Sequence, residues 1–153
     1  MHDSFDLRRF ELAQDEHDVY ARATSELRAG RKLSHWMWFV FPQLAGLGHS
    51  AMSRTYAIAS LEEAAAYLAH PVLGPRLVEC ARILTELEGL TAQQIFGSVD
   101  ACKLHSSMSL FARVAPDDRP FRGVLEHYFG GVTDVNTDRL LGAAARGGPD
   151  ARS

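Results

Sequence analysis

Cysteine is nearly absent. Cys80 and Cys102 are the only two, and neither sits in a CxxC pair, so no disulfide framework or thiolate metal cluster organises the chain. Both are expected as reduced, helix-borne thiols of a cytoplasmic protein. Long apolar runs are missing as well: the longest tract, Trp36 to Pro42, falls far short of the ~18 residues of a membrane span. The start, Met1-His2-Asp3-Ser4-Phe5-Asp6, has no basic region ahead of an apolar stretch, which disfavours secretion and insertion. Charge of one sign is lacking too. Sixteen Lys+Arg stand against nineteen Asp+Glu, a net charge of -3, so no global positive field draws phosphate backbones and general nucleic-acid binding is not expected. Alternating strand patterns are nearly absent, and internal repeats and Pro/Gly/Ser-rich linkers are missing from the sequence.

What remains is a chain of 153 residues, 46% hydrophobic, long enough to bury roughly 70% of its unfolded surface without a metal or disulfide. Apolar positions recur at helical spacing from end to end, which predicts one all-α domain over 1–146, with about six to eight helices in orthogonal packing and a frayed tail over 147–153. A minor extended segment is expected at Tyr56–Ala59. Asp6 is placed to cap a first helix, and Asp15 or Asp18 a second that Gly30 stops. Ser34 is the expected cap of an aromatic helix over His35–Phe41, which Pro42 ends. Ser60-Leu-Glu-Glu63 and Thr91-Ala-Gln-Gln94 have capping-box spacing. His70-Pro71 breaks the chain ahead of a longer helix lined by Leu73, Leu77, Cys80, Ala81, Leu84 and Leu87. Asp100 and Asn136 are read as caps of two later helices.

Chemistry concentrates in the tract from Gly30 to Gly48, which holds both tryptophans of the chain. A segment apolar on every side must be enclosed, so one reading is a central core helix. The other is a pocket wall, with Trp36, Trp38 and Phe41 against a planar ligand and Lys32, His35 and Gln43 supplying polar contacts. The glycines at 46, 48 and 97 match neither a Walker loop nor GxGxxG. On the later helix, Asp100 and Lys103 share a face, as do Lys103 and Ser107, but SxxK and GxSxG are both absent. The seven histidines form neither HExxH nor a His-plus-Cys zinc spacing, so no metal is expected; nor is a cofactor.

Taken together, Gly30-Arg-Lys32, His35-Trp-Met-Trp-Phe-Val-Phe-Pro-Gln43, Gly46-Leu-Gly48, Tyr67-Leu-Ala-His-Pro71, Ile95-Phe-Gly97, and Asp100 with Lys103-Leu104 and Ser106-Ser107-Met108 resemble domain-of-unknown-function family 1810. The resemblance runs from about Phe5 to Leu141 and departs at Ser109, where that family usually has Thr. It implies a small, mainly α-helical cytoplasmic protein of bacteria and fungi, and no established activity. Members are sometimes labelled calpastatin, yet a calpain inhibitor of that kind is long, polar and disordered, unlike this chain. A looser likeness is to small α-helical N-glycosidases acting on riboflavin-pathway intermediates and ADP-ribosylated groups.

The functional expectation is therefore binding, with hydrolysis as an extension, of a small planar phosphorylated ligand such as a nucleotide or ADP-ribose derivative. If hydrolysis occurs, the expected form is general acid/base attack of water on an N-glycosidic bond, with Asp100 as base and Lys103 holding an anionic group. The alternative is a non-catalytic module for protein interaction or self-association.

Overall fold

Several helix starts in this chain are set by side chains that capture backbone amides, and the capturing residue is often not the one nearest the start. The computed structural model describes residues 3–145; the expected tail over 147–153 lies outside them. Helix α1 (Arg8–Asp15) begins where the Asp3 carboxylate accepts the amides of Leu7 at 2.8 Å and Arg8 at 3.0 Å. Asp6, the expected cap, instead turns the chain with φ 54°. A 3-10 turn over Glu16–Asp18 leads into α2 (Val19–Arg28), where Asp18 takes the N-cap position with no side-chain cap bond.

Next come α3 (Met37–Val40), α4 (Ala51–Thr55), α5 (Leu61–Ala69), α6 (Leu73–Glu86), α7 (Ala92–Phe96), α8 (Ser98–Val114), α9 (Arg119–Phe129) and α10 (Val135–Ala145). The protein is all-α. Seven of these helices have eight residues or more, within the expected range, while α3, α4 and α7 are single turns too short to show a period. The only pairing outside the helices, among the described residues, is a parallel bridge between Leu44 and Ile58, where the extended segment was expected.

Caps follow the same rule at later starts. Ser60 accepts the Glu63 amide, but the Glu63 carboxylate returns to Ala59 N–H rather than to Ser60, so that capping box is half made. The Thr91–Gln94 box is complete. For α10 the cap is Asp134, whose carboxylate accepts the Thr137 amide at 2.9 Å and hydroxyl at 2.7 Å. Asn136, the expected cap, lies inside the helix instead.

Helices α6, α8 and α9 form the centre, with α5 against α6 and α8. Leu77, Cys80, Ala81 and Leu84 are buried, as their spacing predicts, against Leu104, Met108 and Phe111 of α8 and Phe121, Val124 and Leu125 of α9. The turn from α5 to α6 is so tight that a Cβ on Gly74 would stand 2.0 Å from the Leu68 carbonyl oxygen.

One arginine ties the irregular middle of the chain to α1. Arg9 donates to the carbonyls of Thr55 and Ala57, each at 2.8 Å, and to the Glu63 carboxylate at 3.0 Å. Glu63 is buried, and Arg9 is the cation paired with it. Breaking a buried pair on one side leaves an uncompensated charge, and Arg9→Ala is expected to cost about 3–5 kcal/mol in urea unfolding. Arg9→Ala/Glu63→Ala should recover part of that loss, and equal loss in the single and double variants would remove the ion pair as the cause.

Candidate functional site

The site grows from a buried carboxylate. Glu26, near the end of α2, accepts the amides of Leu33 at 2.8 Å and Ser34 at 3.0 Å, the Trp36 indole N–H at 2.9 Å and the Ser34 hydroxyl. Burial alone would raise its pKa; the bonds from the Ser34 hydroxyl, the two amides and the indole outweigh that and lower it to about 2. Here the structure corrects the expected aromatic helix. The Ser34 hydroxyl donates to Glu26 and no helix amide donates to its oxygen; only Met37–Val40 is helical, its N-cap Trp36 making no side-chain cap bond. Pro42 restricts Phe41, which sits at φ -124° and ψ 72°. The short helix is held from α1, where the Gln14 side chain donates to the Phe39 carbonyl at 2.7 Å.

The loop that Glu26 organises delivers Lys32. Its amide donates to the Ile95 carbonyl at 2.8 Å, and its ammonium donates to the Ser34 carbonyl at 2.6 Å and pairs with Asp100 at 2.9 Å. Lys103 pairs with the other oxygen of Asp100 at 3.2 Å. The α8 helix begins at Ser98 with Gly97 as N-cap, so Asp100 is not the cap that its spacing suggested; its side chain is committed to the lysines. Each lysine also lies over an indole, Lys32 at 5.1 Å from the Trp36 ring centre and Lys103 at 4.9 Å from that of Trp38. All three charged side chains are at least four-fifths buried. Two ammonium groups on one carboxylate leave an excess positive charge where solvent screening is reduced.

A cavity of about 330 Å³ opens beside this cluster. Trp38 and Gln43 line it, as do Leu44 and Ala45, Tyr56 and Ala57, and a rim of Gly46, Gly48, His49, Ser53 and Arg54. Its lining segments 43–46 and 56–57 are tied together by the Leu44–Ile58 bridge, closed by Ala45 N–H to Ile58 O and Ile58 N–H to Gln43 O, both 2.8 Å. Arg9 holds the far wall through the carbonyls of Thr55 and Ala57.

The structure thus joins Lys32, Trp36, Trp38, Asp100 and Lys103 in one run of contacts, and places Trp38 and Gln43 in the cavity lining. Trp36 and Phe41 are fully buried, with ring centres 6.2 Å apart, so the wall expected from three aromatic residues narrows to Trp38. His35 is exposed and lies outside the lining. Ser107 is buried with no hydrogen-bond partner among the described residues. Sequence reading missed His49, Ser53, Arg54 and Tyr56. The available signal was the Gly46-x-Gly48 loop followed by a short extended segment, but pairing Leu44 with Ile58 is a non-local event that no periodicity encodes.

The family described as protein of unknown function (DUF1810) matches residues 4–141. The chain is also similar to the conserved hypothetical protein Rv1873 from Mycobacterium tuberculosis. With its crystal structure the TM-score is 0.88 and the identity 52%, over 91% of this chain and 98% of that one. No curated protein matches the chain. Among the described residues, no helix is long and apolar enough to cross a membrane and no group of three or more His, Cys, Asp or Glu is placed to hold a metal.

The Glu26 carboxylate makes a direct prediction. Because its folded pKa lies near 2 against an ordinary 4.5, its contribution is fully present above pH 4.5 and is lost as pH falls towards 2. At about 1.36 kcal/mol per unit, Glu26→Gln should cost about 3 kcal/mol at pH 7. Urea unfolding of both proteins between pH 7 and 2.5 should show that gap shrinking below pH 4.5; a constant gap would show that charge is not what the site uses.

Proposed function

The chain belongs to the DUF1810 family, and we propose that it binds a small planar phosphorylated ligand, of the nucleotide or ADP-ribose kind, in the cavity beside Trp38. The observation that carries this reading is the joining of an aromatic wall to a buried cation: Trp38 lines the cavity while Lys103 lies against its ring. The volume falls at the lower end of the range for small-molecule sites. Trp38 offers a stacking face and Gln43 an amide that both donates and accepts. The lining includes no carboxylate, so nothing in the wall repels an anion.

Within this reading Asp100 is a positioning residue. Both of its oxygens are engaged by ammonium groups and it stands outside the lining, so we assign it the task of holding Lys32 and Lys103, and the function is binding rather than hydrolysis. The two free cysteines, Cys80 and Cys102, support a reducing, cytoplasmic setting. One observation favours an interaction module instead: Leu33 and Val99, the sequence neighbours of Lys32 and Asp100, are 69% and 71% exposed.

Thermal unfolding against a panel of nucleotides, NAD, ADP-ribose and riboflavin precursors tests the proposal. A panel member present at ~100 times its dissociation constant should stabilise the protein by about 2.7 kcal/mol. Trp38→Ala, altering a half-buried wall residue, should abolish the shift and leave the protein folded. Trp36→Ala, altering a fully buried one, should cost roughly 3–5 kcal/mol of stability. If no panel member shifts the wild type, the ligand reading fails and the exposed Leu33–Val99 region becomes the reason to search for a partner.

A further inference from the structure

The ligand reading leaves open which cation meets the phosphate, and the charge arrangement decides it. Lys32 and Lys103 share Asp100 between them, and each ammonium is also taken up by an indole face. At the rim, Arg54 differs. Its guanidinium donates to the His49 carbonyl, and no carboxylate among the described residues pairs with it; Arg8, Arg22, Arg31, Arg82 and Arg139 likewise lack an acidic partner there, but of these arginines Arg54 is the one in this cavity's lining. Arg54 is therefore the cavity-lining cation with a planar set of N–H donors still to spend.

Two neighbours complete a binding corner. Ser53 Oγ accepts from Ser50 Oγ at 3.0 Å, which leaves the Ser53 hydroxyl proton to donate. His49 lines the same rim. The loop reaches this arrangement only because residue 48 is glycine: a Cβ there would stand 2.4 Å from Ser53 Oγ and 2.6 Å from Ser53 Cβ.

Resting on the ligand reading above, we infer that Arg54, His49 and Ser53 form a phosphate-monoester subsite, with the planar part of the ligand running inward to Trp38 and Gln43. Lys103 then acts on the ring end of the ligand through Trp38, and the Lys32–Asp100–Lys103 cluster sets the background potential.

The test compares each phosphorylated probe with its dephosphorylated partner: AMP with adenosine, GMP with guanosine, UMP with uridine, and flavin mononucleotide with riboflavin, by calorimetric titration of the full chain. The expected result is at least one pair in which phosphate tightens binding about tenfold or more, as a charge-assisted contact should. In Arg54→Gln that ratio should drop to about two or below, with affinity for the dephosphorylated partner unchanged. Arg54→Lys should restore part of the ratio, and Lys103→Gln should weaken both members of the pair while keeping it. Arg54 is exposed, so circular dichroism of its variants should match the wild type. A ratio that survives Arg54→Gln, or that collapses in Lys103→Gln instead, overturns the subsite. Binding of both partners with no phosphate preference overturns it too while leaving the cavity reading intact; failure of every probe to bind overturns both.

Discussion

The carboxylate of Glu26 is the constraint on which the middle of this protein depends. An ionised group buried away from water is tolerated only when its lone pairs are satisfied, and Glu26 takes two amides, an indole N–H and a hydroxyl from residues 33 to 36. Those four donors come from a segment with little regular structure of its own. In collecting them the carboxylate does for the loop what a hydrogen-bond ladder does for a helix: it fixes the path of the backbone and the direction of Lys32. It also pins Trp36, whose indole fills the core against Phe41 and Phe96.

From that anchor the charged cluster follows. Lys32 reaches Asp100 because its loop is held in place, and Lys103 reaches the same carboxylate from one turn further along α8. The arrangement resolves a difficulty of burying three charges together. A single carboxylate shared by two ammonium groups satisfies both of its oxygens, and the remaining positive charge is spread over two indole faces, where the ring quadrupole stabilises it. The same geometry makes Trp38 electrostatically unlike an ordinary aromatic wall, since a cation lies against its ring.

The cavity depends on a second anchor, reached from the other end of the chain. Arg9 belongs to α1, yet it holds the carbonyls of Thr55 and Ala57 and the charge of Glu63. With Gln14 bonded to Phe39, α1 therefore secures both α3 and the far wall. Short segments that would not persist alone, four residues in α3 and five in α4, are kept in place by long-range polar bonds rather than by helical cooperativity.

Local physics was legible in the residues themselves. Helical spacing identified the all-α class and the buried faces of α6, α8 and α9; the Thr91–Gln94 box and the break at His70-Pro71 needed only neighbours within a few positions. The density of aromatic side chains marked the tract from Gly30 to Gly48, and Lys32, Asp100, Lys103, Trp36 and Trp38 do come together. Four readings failed for one reason. Asp6, Ser34, Asp100 and Asn136 each have the chemistry of a cap, but a cap is a competition. Asp3 takes the first amides of α1 ahead of Asp6, Glu26 draws the Ser34 hydroxyl to itself, the lysines take Asp100, and Asp134 supplies the α10 cap ahead of Asn136. The division between Trp36 in the core and Trp38 on the cavity, and the gathering of His49, Ser53 and Arg54 at its rim, were likewise decided in three dimensions. Periodicity reports which face of an element is apolar; which distant carboxylate or carbonyl meets a given polar group depends on how the elements close against one another.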